Sequence, residues 1–154
     1  MRVVVGGDHA GFPLKQKVVA RLKAWGHDVE DIGTFSEEPV DFPDVAEALC
    51  RRVTAGEAQR GILVCGTGVG AAIAANKYPG IRAAVCHDVF SAHQCVEHDD
   101  VNVMCIGAWI VGEMLAYELV AAYLVAVPDQ APEFRRRIAK LHEMESRLRP
   151  APGS

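Results

Sequence analysis

A thiol and three glycines at alternate positions stand together in residues 65–70, which read Cys-Gly-Thr-Gly-Val-Gly. An apolar run from Gly61 to Cys65 precedes the glycines, and a run of small residues follows them. This pattern predicts a buried strand, a tight turn and the N-terminus of a helix. The N–H groups of such a turn favour a bound anion, and the helix dipole favours the thiolate form of a neighbouring cysteine. The segment therefore indicates a reactive thiol beside an anion-binding turn, although Cys65 can also be a small buried hydrophobe.

An acid and an imidazole follow the first β-branched run of the chain. Asp8 and His9 come directly after this run, and Pro13 opens a helix shortly afterwards. Asp8 can act as a general acid or base, accept a hydrogen bond from a sugar hydroxyl, bind a metal, or only cap the helix at Pro13. His9 can bind a phosphate or a ring oxygen, or face solvent in a loop. Thr67 can donate its hydroxyl to a bound oxygen or serve only the turn.

Apolar runs alternate with helical patterns along the chain. We predict strands near residues 2–7, 27–33, 61–65, 82–86 and 101–107. This alternation is typical of an α/β fold, a doubly wound five-stranded parallel sheet of the Rossmann or flavodoxin type with helices on both faces. We expect the strand order 2-1-3-4-5, which makes strands 1 and 3 neighbours at a topological switch point. Ligands bind at the carboxyl ends of strands at such a point, so Asp8, His9 and Cys65 should share one crevice.

Length and composition restrict the class of protein. The 154 residues suit a single domain, which we predict over residues 1–148, with a disordered tail over 149–154. The net charge of −4 does not indicate a nucleic-acid-binding protein. The five cysteines are odd in number and include no C-x-x-C pair, which favours reduced thiols and a cytoplasmic protein. The longest apolar run contains Glu118 and falls short of a membrane span, so we expect no membrane partner.

One cluster of residue types could bind a metal. The cluster consists of Cys86, His87, His93, Cys95 and His98. Its spacing matches no zinc pattern, and His93 and Cys95 point in different directions on a predicted helix. We therefore expect no metal.

A nucleotide-binding function is a further alternative. Gly66, Gly68 and Ala71 match the loose G-x-G-x-x-A fingerprint, and Asp88 follows after about 20 residues, where a ribose-binding acid stands in dinucleotide-binding folds. The motif follows the third predicted strand rather than the first, which weighs against this function. A nucleotide-binding module without catalytic activity stays open, as does a flavodoxin-like interaction module.

Several motifs taken together resemble the ribose-5-phosphate isomerase B family, which also holds the galactose-6-phosphate isomerase subunits. The likeness runs from residue 2 to about residue 148 and keeps the order of the motifs. The matching segments are residues 6–11, 65–70, 74–77, 80–83 and 98–103. The resemblance implies a cofactor-free aldose–ketose isomerase that works through a cis-enediolate, with ribose 5-phosphate and ribulose 5-phosphate as the expected substrate and product.

The resemblance also implies roles for individual residues. Cys65 would be the base that moves a proton between carbons 1 and 2. His98, with Asp8 and Thr67, would open the sugar ring by proton transfer to the ring oxygen. The enediolate oxygen would be held by the backbone N–H groups of Gly66, Thr67, Gly68, Val69 and Gly70.

The resemblance further implies how phosphate binds and how subunits associate. His9 and Arg137 would meet the phosphate, and Asp99 would lie beside the ring-opening His98. Family members form dimers or dimers of dimers, and the loop of His98 completes the site of the partner subunit. The expected partners are thus a sugar phosphate and a second copy of the chain.

Four positions depart from the family pattern. Asp99 stands where the family usually has Asn, Trp109 stands where many members have Arg, and Glu133-Phe134 replaces Arg-His. Both of those arginines contact phosphate in the relatives, while Arg136 and Arg137 remain here as possible phosphate ligands. These departures leave open a different sugar or sugar phosphate with the same chemistry, selected by Trp109 and Glu133.

Overall fold

The structure is a computed structural model that describes residues 1–149. Its strands are β1 (Arg2–Gly7), β2 (Asp28–Asp31), β3 (Arg60–Cys65), β4 (Ala83–Val85) and β5 (Val103–Gly107). Its helices are α1 (Phe12–Ala24), α2 (Phe42–Thr54), α3 (Val69–Asn76), α4 (Val89–Asp99), α5 (Glu113–Val125) and α6 (Pro132–Leu148). Strands and helices alternate up to α5, as the apolar periodicity predicts.

The strands form one parallel sheet in the order β2-β1-β3-β5-β4. The predicted doubly wound parallel sheet is confirmed, but the predicted order 2-1-3-4-5 is wrong at its end, because β5 lies inside the sheet and β4 forms its edge. All residues of β5 are buried, whereas β4 has three residues and none of them is fully buried. A short, partly exposed strand suits an edge, and an apolar strand covered on both faces suits the interior.

Helices cover both faces of the sheet and create two hydrophobic cores. One core lies between the sheet and α1, α4 and α5, and the other lies between the sheet and α2 and α3. Val3 and Val5 enter the first core and Val4 enters the second, because successive side chains of a strand point to opposite faces. Both faces of β1 are therefore buried, which explains its unbroken apolar run.

Helix α6 contributes no buried residue to either core. It packs on α4 and on the segments that precede β4 and β5, where His142 contacts Arg82 and Glu145 accepts a hydrogen bond from the N–H of Gly80. Leu148 is left largely exposed, with 79% of its surface accessible. The predicted tail over 149–154 lies outside the described residues except for Arg149, which donates to the Lys77 carbonyl.

Within residues 1–149, none of the helices combines the length and the apolar character needed to cross a membrane.

Candidate active site

The glycine loop lies at the carboxyl end of β3 and places the Cys65 thiol at its base. Cys65 is the last residue of β3 and is 6% exposed. The N–H of Gly68 donates to its Sγ atom at 3.0 Å, a contact that favours negative charge on sulfur. Gly68 has a φ of 82°, a left-handed conformation that glycine adopts without steric cost, and it caps the N-terminus of α3. The sequence therefore produces a thiol that accepts a hydrogen bond from the glycine turn at the N-terminus of α3.

Thr67 lies at the exposed tip of this loop. Its Oγ1 atom accepts a hydrogen bond from the N–H of Val69 at 3.3 Å. The hydroxyl hydrogen is left to donate to a bound oxygen, because the observed contact uses only an acceptor site of the hydroxyl. Gly66 and Gly70 on either side pack against aromatic rings, of Trp109 and Phe42 respectively.

Asp8 and His9 extend from the carboxyl end of β1, next to the glycine loop. Gly7 pairs with Val64, so the residues that follow these two leave the same edge of the sheet. Asp8 is 9% exposed, and one of its carboxylate oxygens accepts a hydrogen bond from the N–H of Gly11 at 2.9 Å. His9 accepts a hydrogen bond from the N–H of Val40 at its Nδ1 atom, at 3.2 Å. A neutral His9 ring therefore carries its proton on Nε2.

The turn after β1 approaches the backbone of β3 very closely. A Cβ atom on Gly11 would stand 1.8 Å from the Val64 carbonyl oxygen, and one on Gly7 would stand 2.4 Å from the same atom. Only residues without a side chain allow this approach. The glycines around Asp8 thus bring it, with His9, to the crevice of Cys65.

Trp109 forms a wall of the crevice beside the glycine loop. The N–H groups of Ala108 and Trp109 donate to the carbonyls of Cys65 and Gly66, at 2.7 and 3.0 Å. The indole lies over Gly66, where an added Cβ atom would be 2.8 Å from the ring, and 73% of Trp109 remains exposed. An apolar ring thus forms this wall of the crevice.

His98 lies at the opposite end of the sheet. It belongs to the last turn of α4, which precedes β5, whereas Cys65 pairs with Gly107 at the end of β5. Its ring is stacked on Phe134 with 4.2 Å between centroids, and its Nδ1 atom is 2.9 Å from the amide nitrogen of Gln94. A single chain therefore does not bring His98 to Cys65.

The predicted substrate-binding residues of α6, and Asp99, lie at the same end of the sheet as His98. Arg137 lies with its guanidinium 5.7 Å from the Phe134 ring centre. Glu133, Arg136 and Asp99 are exposed at this same end of the molecule. The predicted phosphate pair of His9 and Arg137 is consequently divided between the two ends of the sheet in one chain.

Comparison with known proteins identifies the family. The family model described as Ribose/Galactose Isomerase matches residues 3–141. The chain belongs to the ribose/galactose isomerase family.

Three relatives show the range of this family. Ribose-5-phosphate isomerase B of Escherichia coli K12 is 42% identical over 146 residues, which are 95% of this chain and 97% of that protein. D-erythrulose-4-phosphate isomerase 2 of Mycolicibacterium smegmatis is 42% identical over 127 residues, 80% of this chain and 84% of that protein. The solved structure of Clostridium thermocellum ribose-5-phosphate isomerase B is 41% identical, with a TM-score of 0.93, and covers 97% of this chain and 100% of that one. The predicted family and the predicted class of enzyme, a sugar-phosphate aldose–ketose isomerase, are confirmed.

The candidate metal ligands do not assemble in this member of the isomerase family. Cys86 and Cys95 lie in the core with 3.8 Å between their sulfurs, while His93 faces Glu97 at 3.5 Å. His98 is stacked on Phe134. In the part of the chain that the structure describes, no three His, Cys, Asp or Glu side chains are arranged to hold a metal.

The remaining cysteines differ from Cys65 in their surroundings. Burial raises the pKa of the Cys50 thiol to about 11 and raises that of Cys105 well above its ordinary value. Both are therefore neutral core residues at physiological pH, as most buried cysteines are. Cys65 is the cysteine that bonds to the glycine loop.

Asp88, the acid of the loose dinucleotide fingerprint, has a structural role. Its carboxylate caps α4 by accepting the N–H of Ser91 at 2.7 Å, and this hydrogen bond holds its pKa below the usual range. Its carboxylate is thus committed to the start of α4.

His87 enters the sequence predictions only as a candidate metal ligand, and Phe42 has no predicted role. The Nε2 atom of His87 accepts the N–H of Gly107 at 2.9 Å, and burial lowers the pKa of its imidazole. The Phe42 ring packs on Gly70, where an added Cβ atom would be 2.9 Å away. The position of His87 at the carboxyl end of a predicted strand was the available signal, since ligand-binding residues gather there.

Proposed function

We propose that this enzyme interconverts ribose 5-phosphate and ribulose 5-phosphate without a cofactor, in a homodimer whose sites contain residues of both chains. The observation that carries the proposal is the Cys65 thiol, which accepts the N–H of Gly68 in the glycine loop, at the edge of the sheet from which Asp8 also extends. A base beside an oxyanion-binding loop is what proton transfer through an enediolate needs.

The proposed reaction moves one proton between neighbouring carbons. The Cys65 thiolate removes the proton from carbon 2 of the open-chain aldose, and the electron pair of that C–H bond forms the carbon–carbon double bond of the enediolate. The thiol then returns a proton to carbon 1, while the hydroxyl proton of oxygen 2 passes to oxygen 1, and the carbonyl of the ketose forms at carbon 2. The oxygen on which negative charge develops is held by backbone N–H groups of the loop other than those of Gly68 and Val69, which donate to the Cys65 sulfur and the Thr67 hydroxyl. A positioned base of this kind contributes roughly 10²- to 10⁴-fold in rate.

A second chain would supply the ring-opening and phosphate-binding residues. His98 and Arg137 lie together at the far end of their own chain, each near the Phe134 ring. A partner subunit can place this pair over the crevice of Cys65 and His9. His98 with Asp8 and Thr67 would then open the sugar ring, and His9 with Arg137, helped by Arg136, would hold the phosphate.

An apolar surface beside the glycine loop supports this dimer. Val69 and Ile73 of α3 and Val85 of the edge strand β4 are exposed by 52%, 58% and 36%. Apolar side chains grouped on an exposed strand edge commonly mark a surface that a partner covers. We propose that this surface packs against the second chain.

We place the enzyme in the cytoplasm. All five cysteines are unpaired thiols, including Cys86 and Cys95, whose sulfurs stay 3.8 Å apart. Reduced thiols at such a distance fit a reducing compartment.

A second candidate substrate is a shorter sugar phosphate with the same chemistry. It is favoured by Trp109, whose indole narrows the crevice beside Gly66, and by the acidic Glu133 in the first turn of α6. A relative that is 42% identical is named D-erythrulose-4-phosphate isomerase 2. Positions 109 and 133 carry no arginine in this chain. The phosphate dianion of a longer sugar would therefore lose two charge-assisted contacts, the strongest kind that phosphate makes.

A panel of substrates distinguishes these candidates. Initial rates are measured with ribose 5-phosphate, erythrulose 4-phosphate, galactose 6-phosphate and unphosphorylated ribose. The leading proposal expects the highest kcat/KM for ribose 5-phosphate and little turnover of free ribose. A higher kcat/KM for the four-carbon phosphate would replace it by the second candidate, and no turnover of any aldose or ketose would reject both.

The Trp109→Arg variant tests whether the tryptophan at this position disfavours ribose 5-phosphate. A guanidinium at this position should lower KM for ribose 5-phosphate roughly tenfold, the value of a hydrogen bond to a charged group. The control is Trp25→Arg, because Trp25 is an exposed tryptophan that follows α1 as its C-terminal cap, so its replacement should leave KM unchanged.

A further inference from the structure

His87 supports the glycine loop from behind. Strand β4 ends at Val85, and the N–H of Cys86 still donates to the Cys105 carbonyl. A continued parallel ladder would next bring a β4 carbonyl to the N–H of Gly107. The Nε2 atom of His87 takes that place at 2.9 Å. A side chain therefore replaces a backbone acceptor at the point where the sheet opens toward the crevice.

The peptide that His87 holds is the surface on which the glycine loop lies. A Cβ atom on Gly107 would be 2.7 Å from the carbonyl carbon of Thr67, and one on Gly68 would be 3.4 Å from the nitrogen of Gly107. The loop and the end of β5 are thus in direct backbone contact. A rotation of the peptide that carries the Gly107 N–H is therefore expected to displace Thr67 and Gly68.

Two further hydrogen bonds join the same segment to Cys65 and to Gly66, the first residue of the glycine loop. The N–H of Ala108 donates to the Cys65 carbonyl at 2.7 Å, and the N–H of Trp109 donates to the Gly66 carbonyl at 3.0 Å. On the other side, the N–H of Gly68 donates to the Cys65 sulfur. The segment that begins at the His87 contact therefore fixes the two peptides that follow Cys65 in the chain.

We infer that His87 is a positioning residue of the isomerase: its neutral ring accepts the Gly107 N–H and so holds the glycine loop in the conformation that bonds to the Cys65 thiol. This inference rests on the proposed role of Cys65. A protonated imidazole has only donors, so it cannot accept this N–H. The support should be lost as pH falls through the His87 pKa, which burial lowers.

The nearby ionisable groups, Asp88 and the cysteines of the adjoining strands, are directed away from the His87 ring. The neighbouring Asp88 carboxylate is committed to the N–H of Ser91 at the start of α4. Cys86 enters the core on the α4 side of the sheet, while Cys65 and Cys105 of the adjoining strands enter the opposite core. Desolvation is accordingly the cause of the lowered pKa.

Two substitutions of His87 test the inference by kinetics. His87→Ala removes the acceptor and should lower kcat roughly 3- to 10-fold, the worth of one neutral hydrogen bond, with KM within about twofold of wild type. His87→Gln places an amide oxygen that can accept near the Nε2 position, so it should recover most of kcat and flatten the acidic limb of the kcat–pH profile. The control is His93→Gln on α4, which should keep the wild-type profile because His93 only faces Glu97.

A measurement without substrate separates this inference from the proposed function. The ¹⁵N resonances of the imidazole should show the tautomer with its proton on Nδ1, and the Gly107 amide should shift as His87 is protonated. The Nε2-protonated tautomer, a His87→Ala enzyme with wild-type kcat, or an unchanged acidic limb in His87→Gln would overturn the inference. If the expected tautomer and amide shift occur in a protein that turns over no sugar, the proposed function fails and the His87 contact stands.

Discussion

Cys65 and His98 lie at opposite ends of the same parallel sheet. Cys65 pairs with Gly107 at the carboxyl end of β5, whereas His98 precedes β5, whose first residue pairs with Gly61. The four residue steps of β5 alone separate these ends by about 13 Å. Groups that act on one substrate molecule must each come within hydrogen-bond distance of it. A site that uses both residues therefore requires two chains.

Mixing two inactive variants tests a shared site. Cys65→Ala and His98→Ala are each expected to be inactive with cyclic ribose 5-phosphate. After dissociation and reassociation, half of the dimers should be mixed, and each mixed dimer should contain one intact site. Activity should therefore recover to about one quarter of wild type, as expected for a symmetric dimer.

The control is a mixture of Cys65→Ala with the double variant Cys65→Ala/His98→Ala, which contains no intact site in either arrangement. Native mass spectrometry verifies that mixed dimers form. Mixed dimers of the two single variants that stay inactive would show that the sites are not shared.

The Cys65→Ala variant also tests the catalytic base. We expect kcat to fall by about 10²- to 10⁴-fold, because the proton transfer loses its positioned base. Substrate affinity, measured by calorimetry, should stay near that of wild type, since the backbone donors of the loop remain. The control is Cys50→Ala, a buried cysteine on α2, which should keep kcat. A near-normal rate in Cys65→Ala would end the assignment of this thiol as the base.

Gly68 and Gly26 form a matched pair for testing the loop conformation. Their φ angles are 82° and 86°, so alanine should cost about 1–2 kcal/mol of unfolding free energy at either position. An added Cβ atom meets nothing within 4 Å at Gly26, whereas at Gly68 it lies 3.3 Å from the backbone of Ile106. Gly68→Ala should therefore also lose activity, because its N–H leaves the Cys65 sulfur.

Urea denaturation and steady-state kinetics together separate these two effects. If Gly26→Ala loses as much activity as Gly68→Ala, the loss reflects general destabilisation and the loop has no special role.

A buried ion pair between α1 and β2 stabilises the start of the sheet. The Lys15 side chain is fully buried and lies 2.5 Å from the Asp31 carboxylate, which is 22% exposed. Lys15→Met should lower the free energy of unfolding by about 3 kcal/mol, because it leaves a largely buried carboxylate without its partner. Urea unfolding measures the change.

The matched control is Lys17→Met on the same helix, since Lys17 pairs with Glu113 at the surface and should have little effect on stability. The neutralising change Asp31→Asn should restore part of the loss in Lys15→Met. No recovery in the double variant would assign the loss to packing rather than to the unpaired charge.

The apolar periodicity predicts the elements well because each strand carries its own local signal. The run that ends at Cys65 and the glycines after it suffice to predict the strand, the turn and the helix that the structure contains. The order of β4 and β5 could not be predicted in the same way. The order depends on which strand the helices cover on both faces, and the half-buried β4 lies at the edge of the sheet.

In the candidate site, too, some features follow from local sequence and others only from the tertiary structure. The amino-acid sequence by itself determined the thiol, the glycine loop and the acid and imidazole after β1, because these are short motifs whose chemistry depends on neighbouring residues. The tertiary structure alone decided that His98 and Arg137 lie a sheet length away from Cys65, and that His87 holds the Gly107 peptide beneath the loop. Such relationships join residues that are distant in sequence, and they arise from strand order and from which backbone groups the ladder leaves unpaired.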